Sequence, residues 1–281
     1  MKTPDLALLW MTCLVVLSAL ACPVYAVDGV ILINQNAALA GGVVPFDQPG
    51  FPVTIGLQGS YRLSSNLVVP DGNTTAIQIL ESNVTLDLNG FTITGPVECT
   101  GFPVTSCGAT ANGVGITGLV GRNNISIFNG TIQGMGGGIN LNGGTHIRIE
   151  NVHAVNNAGD GILVPGTVDA KVLSCTASEN LGTGISGGGG VFRGNTVNGN
   201  GSDGINANGS IAGNVVESNG GSGIAGFGVI SGNYAQGNHH QGIFASCPFA
   251  TIVSNAANGN TGGDIFTSGS GCTRANNTPA P

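Results

Sequence analysis

Charged side chains make up only 7% of this chain, so where they fall is informative. Beyond the first 26 residues the basic residues are Arg62, Arg122, Arg148, Lys171, Arg193 and Arg274. Arg148 stands in "THIRIENVH" (145–153) beside His146 and Glu150, and Lys171 and Arg193 follow. Read as a strand, this stretch turns Ile147 and Ile149 to one side and His146, Arg148 and Glu150 to the other. Lys171 lies 23 residues after Arg148. If the two stack, like-charge repulsion eases loss of the lysine's proton and equips it as a base. Lys171, Arg148 and Glu150 are the candidate catalytic residues, and His146 and Arg193 the candidate substrate-binding ones. The plainer alternative is a solvated outer face with an Arg148–Glu150 ion pair.

Other chemistries find less support. Glycoside hydrolysis needs two carboxylates about 5 to 9.5 Å apart. Asp160 and Asp203 each stand two residues before the isoleucine of a Gly-Ile step. They are two repeat units apart with Thr183 between, which places them roughly 9.6 Å from one another at strand spacing. An Asp before Gly at a turn is also an ordinary structural choice. No cluster of aspartates or Cys/His spacing marks a metal site, so no metal and no cofactor is expected; calcium is unsupported, with Asp87 a lone carboxylate. "GGSGIAGFG" lacks the helix that a phosphate-binding glycine loop requires. His239 and His240, adjacent in "GNHHQG", would face opposite ways on a strand.

The residues that must hold these groups are repetitive. A Gly-Ile or equivalent step recurs at Ile116, Ile139, Ile162, Ile185, Ile205, Ile224, Ile243 and Ile265, at intervals of 19 to 23 residues. Five residues before the last six stand Asn157, Asn180, Asn200, Asn219, Asn238 and Asn260; ten before stand Asn195, Asn214, Asn233 and Asn255, with Cys175 and Val152 in the same register earlier. Thirteen before come Ile149, Val172, Phe192, Ile211, Ile230 and Ile252, and eight before Ala154, Ala177, Val197, Val216, Ala235 and Ala257. Each unit thus carries three short apolar spots between Gly, Asn and Ser, which read as strands and turns. Three strands per unit, repeated head to tail, form a coil, and each coil covers the apolar face of the next. The asparagines are expected to take left-handed turns and to bond their equivalents above and below as a structural ladder.

Composition agrees. Apolar residues reach 41%, too many for a disordered chain, and 50 glycines without a strict period exclude collagen. A net charge of -7 offers no basic footprint for nucleic acid. Residues 1–26 combine Lys2, an apolar run from Leu6 to Ala21 and a Val-Tyr-Ala ending, the pattern of a signal peptide cleaved after Ala26. Lipid attachment at Cys22 is the alternative. No later stretch could span a bilayer, so the chain is expected to be secreted, periplasmic or held at the cell surface. Export permits disulfides, and Cys99 with Cys107, at the ends of "CTGFPVTSC", is the expected bridge. Cys175 reads as a small core residue, whereas the pairing of Cys247 and Cys272 is left open.

The "N…N…GI" units resemble the repeats of right-handed parallel β-helix proteins of the pectin-lyase-like superfamily, in particular NosD-like carbohydrate-binding and sugar-hydrolase repeats. "NVTLDLNGFTITG" (83–95) and "NISIFNGTIQG" (124–134) are similar to early coils of such proteins. The resemblance implies an all-β, single-stranded right-handed solenoid over residues 74–276, preceded by an N-terminal cap over 27–73 and followed by a tail, 277–281. A loop around Cys99–Cys107 should project from one face. The resemblance also implies an extended carbohydrate partner, a polysaccharide or cell-surface glycan. Arg148 and Lys171 would then neutralise the carboxylate of an acidic sugar while one of them takes the neighbouring proton, as in polysaccharide lyases. A non-catalytic structural or adhesive envelope protein is the alternative, favoured by the sparsity of aromatic residues.

Overall fold

Each unit of the repeat holds too little apolar surface to fold alone, so the whole rests on stacking. The structure, a computed structural model, describes residues 29–45, 47–108 and 111–279; the expected signal peptide and Cys22 lie outside them. It is a parallel β-solenoid with three strands per coil. Val53, Ile77, Ile116, Ile139, Ile162, Ile185, Ile205, Ile224, Ile243 and Ile265 are successive partners in one ladder of the first sheet. All except the outermost, Ile265, are buried. The column running from Ile149 through Val172 and Phe192 to Ile252 does the same in the second sheet. Ala154 to Ala257 form the third. In later coils the first two strands run together, as in Ile205–Ala212 and Ile224–Ser231.

Two buried asparagine ladders lock this register. From Asn157 to Asn260, each Nδ2 donates to the Oδ1 of the asparagine one coil on, at 2.8 to 2.9 Å. The same Oδ1 also accepts the main-chain N–H of the preceding asparagine at 3.0 to 3.1 Å. The other amide proton reaches a strand carbonyl, as from Asn180 to Ala154. Asp264 accepts from Asn260 at the far end. A second ladder runs Asn195, Asn214, Asn233, Asn255 and Asn277, and starts on the Cys175 N–H. One expectation is corrected. The ladder asparagines do not take the left-handed conformation; the residue before each does, among them Asn156, Glu179, Gly199, Ser218 and Gly237. That residue bends the chain at the corner and turns the following amide inward, where it is hidden from water.

The ends also differ from expectation. Val53–Ile55, Gly59–Leu63 and Leu67–Val68 already form a complete coil paired to the next, so the ladder reaches back into the segment read as a cap. Among the described residues only Ile31–Ile33 and helix α1 (Gln35–Ala40), capped by Asn34, precede it. Ile31–Ile33 pairs with Tyr61–Leu63, and Ala38 and Val44 join the core. At the other end Thr273–Ala275 is a paired strand within the expected solenoid, and Thr278–Pro279, read as tail, is a paired strand as well. There Arg274 and Pro279 stand in register with the buried Ile252 and Ala257. Arg274 is exposed, and its guanidinium donates to the Ile265 carbonyl.

The Cys99–Cys107 disulfide closes a hairpin of Cys99–Gly101 and Val104–Cys107. The hairpin does not project. Its Val104 N–H donates to the Gly199 carbonyl and its Cys99 N–H to Asn156 Oδ1, so it lies along the corner that follows the third strands. Phe102 covers Gly199, where a Cβ would stand 2.4 Å from the ring. Cys247 and Cys272 form a second disulfide, and Cys175 is free and buried. Burial pushes the Cys175 thiol up to about 12, which suits a core residue and not a nucleophile.

Asp160 and Asp203 serve the turns. Each Oδ1 accepts a main-chain N–H from the next coil, Thr183 at 2.7 Å and Ser222 at 2.8 Å. With both carboxylates engaged along the stack, no hydrolytic pair forms. Burial raises the Asp160 carboxyl above its ordinary range, although the Thr183 N–H opposes this.

Two outcomes follow for stability. Asn219→Ala removes the acceptor of two Asn200 donors in a buried site and should cost about 3 kcal/mol in denaturant unfolding. Asp160 ionises less readily folded than unfolded, so its contribution is fully present at acid pH and is lost as pH rises through the raised value. Asp160→Asn, which keeps an acceptor for Thr183, should therefore raise the thermal midpoint at neutral pH and show a smaller gain at acid pH.

Candidate functional site

The corner between the first and second strands carries the exposed chemistry. Ladder partners fix its geometry: Ser126 pairs with Arg148, and Arg148 with Lys171, in consecutive coils. Two residues earlier in the same registers stand Asn124, His146 and Asp169, with Asn83 one coil before Asn124. All four have φ between 55° and 59°. Asn and Asp tolerate this left-handed conformation because their short polar side chains bond locally. His146 accordingly sits at the corner before the strand Arg148–Val155, not within it as the sequence suggested.

These two columns wall an open groove of about 430 Å³, lined by Asn83, Asn124, His146, Arg148, Asp169 and Lys171 with Thr85 and Ser126. Asn124 Nδ2 donates to Asn83 Oδ1 at 2.8 Å, so the neutral end is held by its own amide pair. At the charged end, Arg148 holds Glu150 through Nη2 at 2.5 Å and Nε at 2.8 Å. Asp169 Oδ2 stands 3.8 Å from both Lys171 Nζ and His146 Nε2. His146 Nδ1 lies 3.1 Å from Thr145 Oγ1. The side chains of His146, Arg148, Asp169 and Lys171 all remain about half exposed or more, so these pairs are solvated and each is worth about 0 to 1 kcal/mol. They are held loosely enough to exchange partners with an incoming anion.

The sequence therefore located three of the groove's side chains, His146, Arg148 and Lys171. Glu150 backs Arg148 without lining the groove. Arg193 stands two coils from Glu150 with Leu173 between them, and holds no ion pair among the described residues. Asp169 was missed, although "VDAK" places it one period after His146. It supplies a carboxylate beside Lys171 and so offsets the like-charge repulsion that the stacked cations would otherwise feel. Arg62, paired with Asp87 at 3.1 Å, belongs to the same sheet, which with Arg274 in its last coil thus carries five of the six basic residues. The disulfide hairpin contacts a different corner and does not border the groove. His239 and His240 fall in an exposed turn, and no cluster fit to hold a metal exists among the described residues.

Comparison with known proteins bears on the fold. The A-module of the mannuronan C-5 epimerase AlgE4 of Azotobacter vinelandii superposes with a TM-score of 0.52 at 14% identity, covering 85% of this chain and 71% of that one. The AlgE6 A-module of the same organism covers 90% of this chain and 91% of its own at a TM-score of 0.46, also with 14% identity. No curated protein matches the sequence. At such identity the likeness is one of fold. A family model described as a right handed beta helix region matches residues 55–210 and 115–278, which together take in nearly all of the solenoid. The chain belongs to that right-handed β-helix family.

Proposed function

We propose that the groove at His146, Arg148 and Lys171 binds an extended acidic polysaccharide at or beyond the cell surface. The observation that carries this reading is the convergence of three nitrogen-bearing side chains on one open groove of an otherwise almost uncharged surface. A uronate carboxylate can replace Glu150 on the Arg148 fork or Asp169 on Lys171, each exchange trading one charge-assisted bond for another. Asn83, Asn124, Thr85 and Ser126 continue the wall with groups suited to sugar hydroxyls. The fold shared with the A-module of a mannuronan epimerase agrees with a polyuronate partner. Two disulfides agree with an oxidising compartment, and among the described residues no helix is long and apolar enough to cross a membrane.

Should the groove also turn its ligand over, the residues suit β-elimination. Arg148 would neutralise the carboxylate and Lys171, once deprotonated, would take the proton from the adjacent carbon. The carbon–hydrogen electrons would form the ring double bond as the glycosidic oxygen leaves. A rod without catalysis is the second reading, and the pairing of each groove cation with a carboxylate favours it.

Affinity electrophoresis on polygalacturonate and alginate should retard the protein, less so at high salt, whereas a neutral glucan should not. Arg148→Ala or Lys171→Ala should weaken retention about tenfold each. An absorbance rise from unsaturated product that Lys171→Ala abolishes would establish the lyase; retention without turnover would leave a binder, and neither would leave the rod.

A further inference from the structure

The corner column that supplies the groove does not stop at Asp169. In the next coils the same register holds Gly189, Asn208, Phe227 and Phe249, one residue before or at the paired positions of the second sheet. The two phenyl rings are in contact, with centroids 6.3 Å apart and planes tilted by 58°, so that one ring at a time can offer its face to a sugar. Both are exposed, Phe249 at 72%. Beside them Val229, 47% exposed, lies three coils beyond Lys171 in the column that carries Arg148. One edge of the rod thus passes from cations, through a neutral stretch, to an aromatic platform.

The neutral stretch has an unusual floor. Gly189 is exposed, a Cβ built on it meets no heavy atom within 4 Å, and its φ is not left-handed. The fold has no need of glycine there. Its effect is to leave the track clear between Asp169 and Asn208. Asn208 makes no side-chain hydrogen bond among the described residues, so its amide is free for a ligand hydroxyl.

We propose that the Phe227–Phe249 pair is a distal subsite for the same polysaccharide, stacking on the apolar face of a sugar ring while the uronate end sits at Arg148 and Lys171. This rests on the reading of the groove given above. The occupant is set by continuity: the platform and the groove share one corner column, and a linear chain is the ligand that can follow it. From Asp169 to Phe227 is three coil steps, roughly 14 Å at the strand spacing, beyond the reach of a disaccharide. The site therefore selects for chain length.

The test is calorimetric titration of the full chain with galacturonate and mannuronate oligomers from disaccharide to octasaccharide. Affinity should rise with length and then level off. Phe227→Ala with Phe249→Ala, and separately Gly189→Tyr, should erase about tenfold of the gain with long oligomers and leave disaccharide binding unchanged. Circular dichroism melts should show Gly189→Tyr as stable as the parent, since its side chain enters open space. Affinity independent of length, or long-oligomer affinity untouched by these variants, overturns the distal subsite but not the groove. No binding of any acidic oligomer overturns both. If light scattering instead shows a dimer that the phenylalanine variants dissociate, the platform is an interface between copies and the proposal falls.

Discussion

The structure depends on one constraint: equivalent residues of successive coils must lie directly above one another, and two columns of buried amides enforce it. A carboxamide can both donate to and accept from its own copy and still has a second N–H for the strand carbonyl, so it can repeat without limit along an axis. The amide in the middle of such a column is satisfied on every side, and among the described residues no buried side-chain nitrogen or oxygen lacks a partner. A slip of one residue would bury unpaired amides and expose isoleucines together. Small apolar side chains suffice for the core because register, not bulk, specifies it.

A fold held this way has no use for surface charge, and so charge on it is legible. The sheet that carries Arg62, Arg148, Lys171 and Arg193 stands out against faces of Thr, Ser, Asn and Gly. Stacking multiplies small choices, since a side chain placed at one register in several coils becomes a line. The groove wall of Asn83, Asn124, His146 and Asp169 is such a line, built on left-handed corners where the backbone holds the side chain clear of the strand.

The solenoid, its inward columns and both asparagine ladders could be read from spacing alone, because a register that recurs at Ile205, Ile224 and Ile243 leaves only one way to stack. Arg148 over Lys171 followed from the same count. What escaped were matters of local conformation. The left-handed corner belongs to the residue before each ladder asparagine, and the identities there, Glu179, Ser218 or Gly237, vary too much to announce it. Asp169 was overlooked because it lies outside the strand, where alternation says nothing. The first coil, Val53 to Val68, lacks the ladder asparagines by which the later coils are recognised, and the hairpin's docking on Gly199 depends on a contact about 100 residues distant in sequence, which pattern cannot supply.

The last coil carries a lesson for building with this scaffold. Arg274 and Pro279 occupy columns that are aliphatic in the coils beneath them, and Asp264 takes the place of a further asparagine. A guanidinium resists burial and a proline has no N–H to offer, so another strand laid on this surface would meet a charge and a missing donor. Engineered lengthening would accordingly succeed by duplicating an interior unit, such as the one whose Ile224, Ile230 and Ala235 are all buried in aliphatic columns.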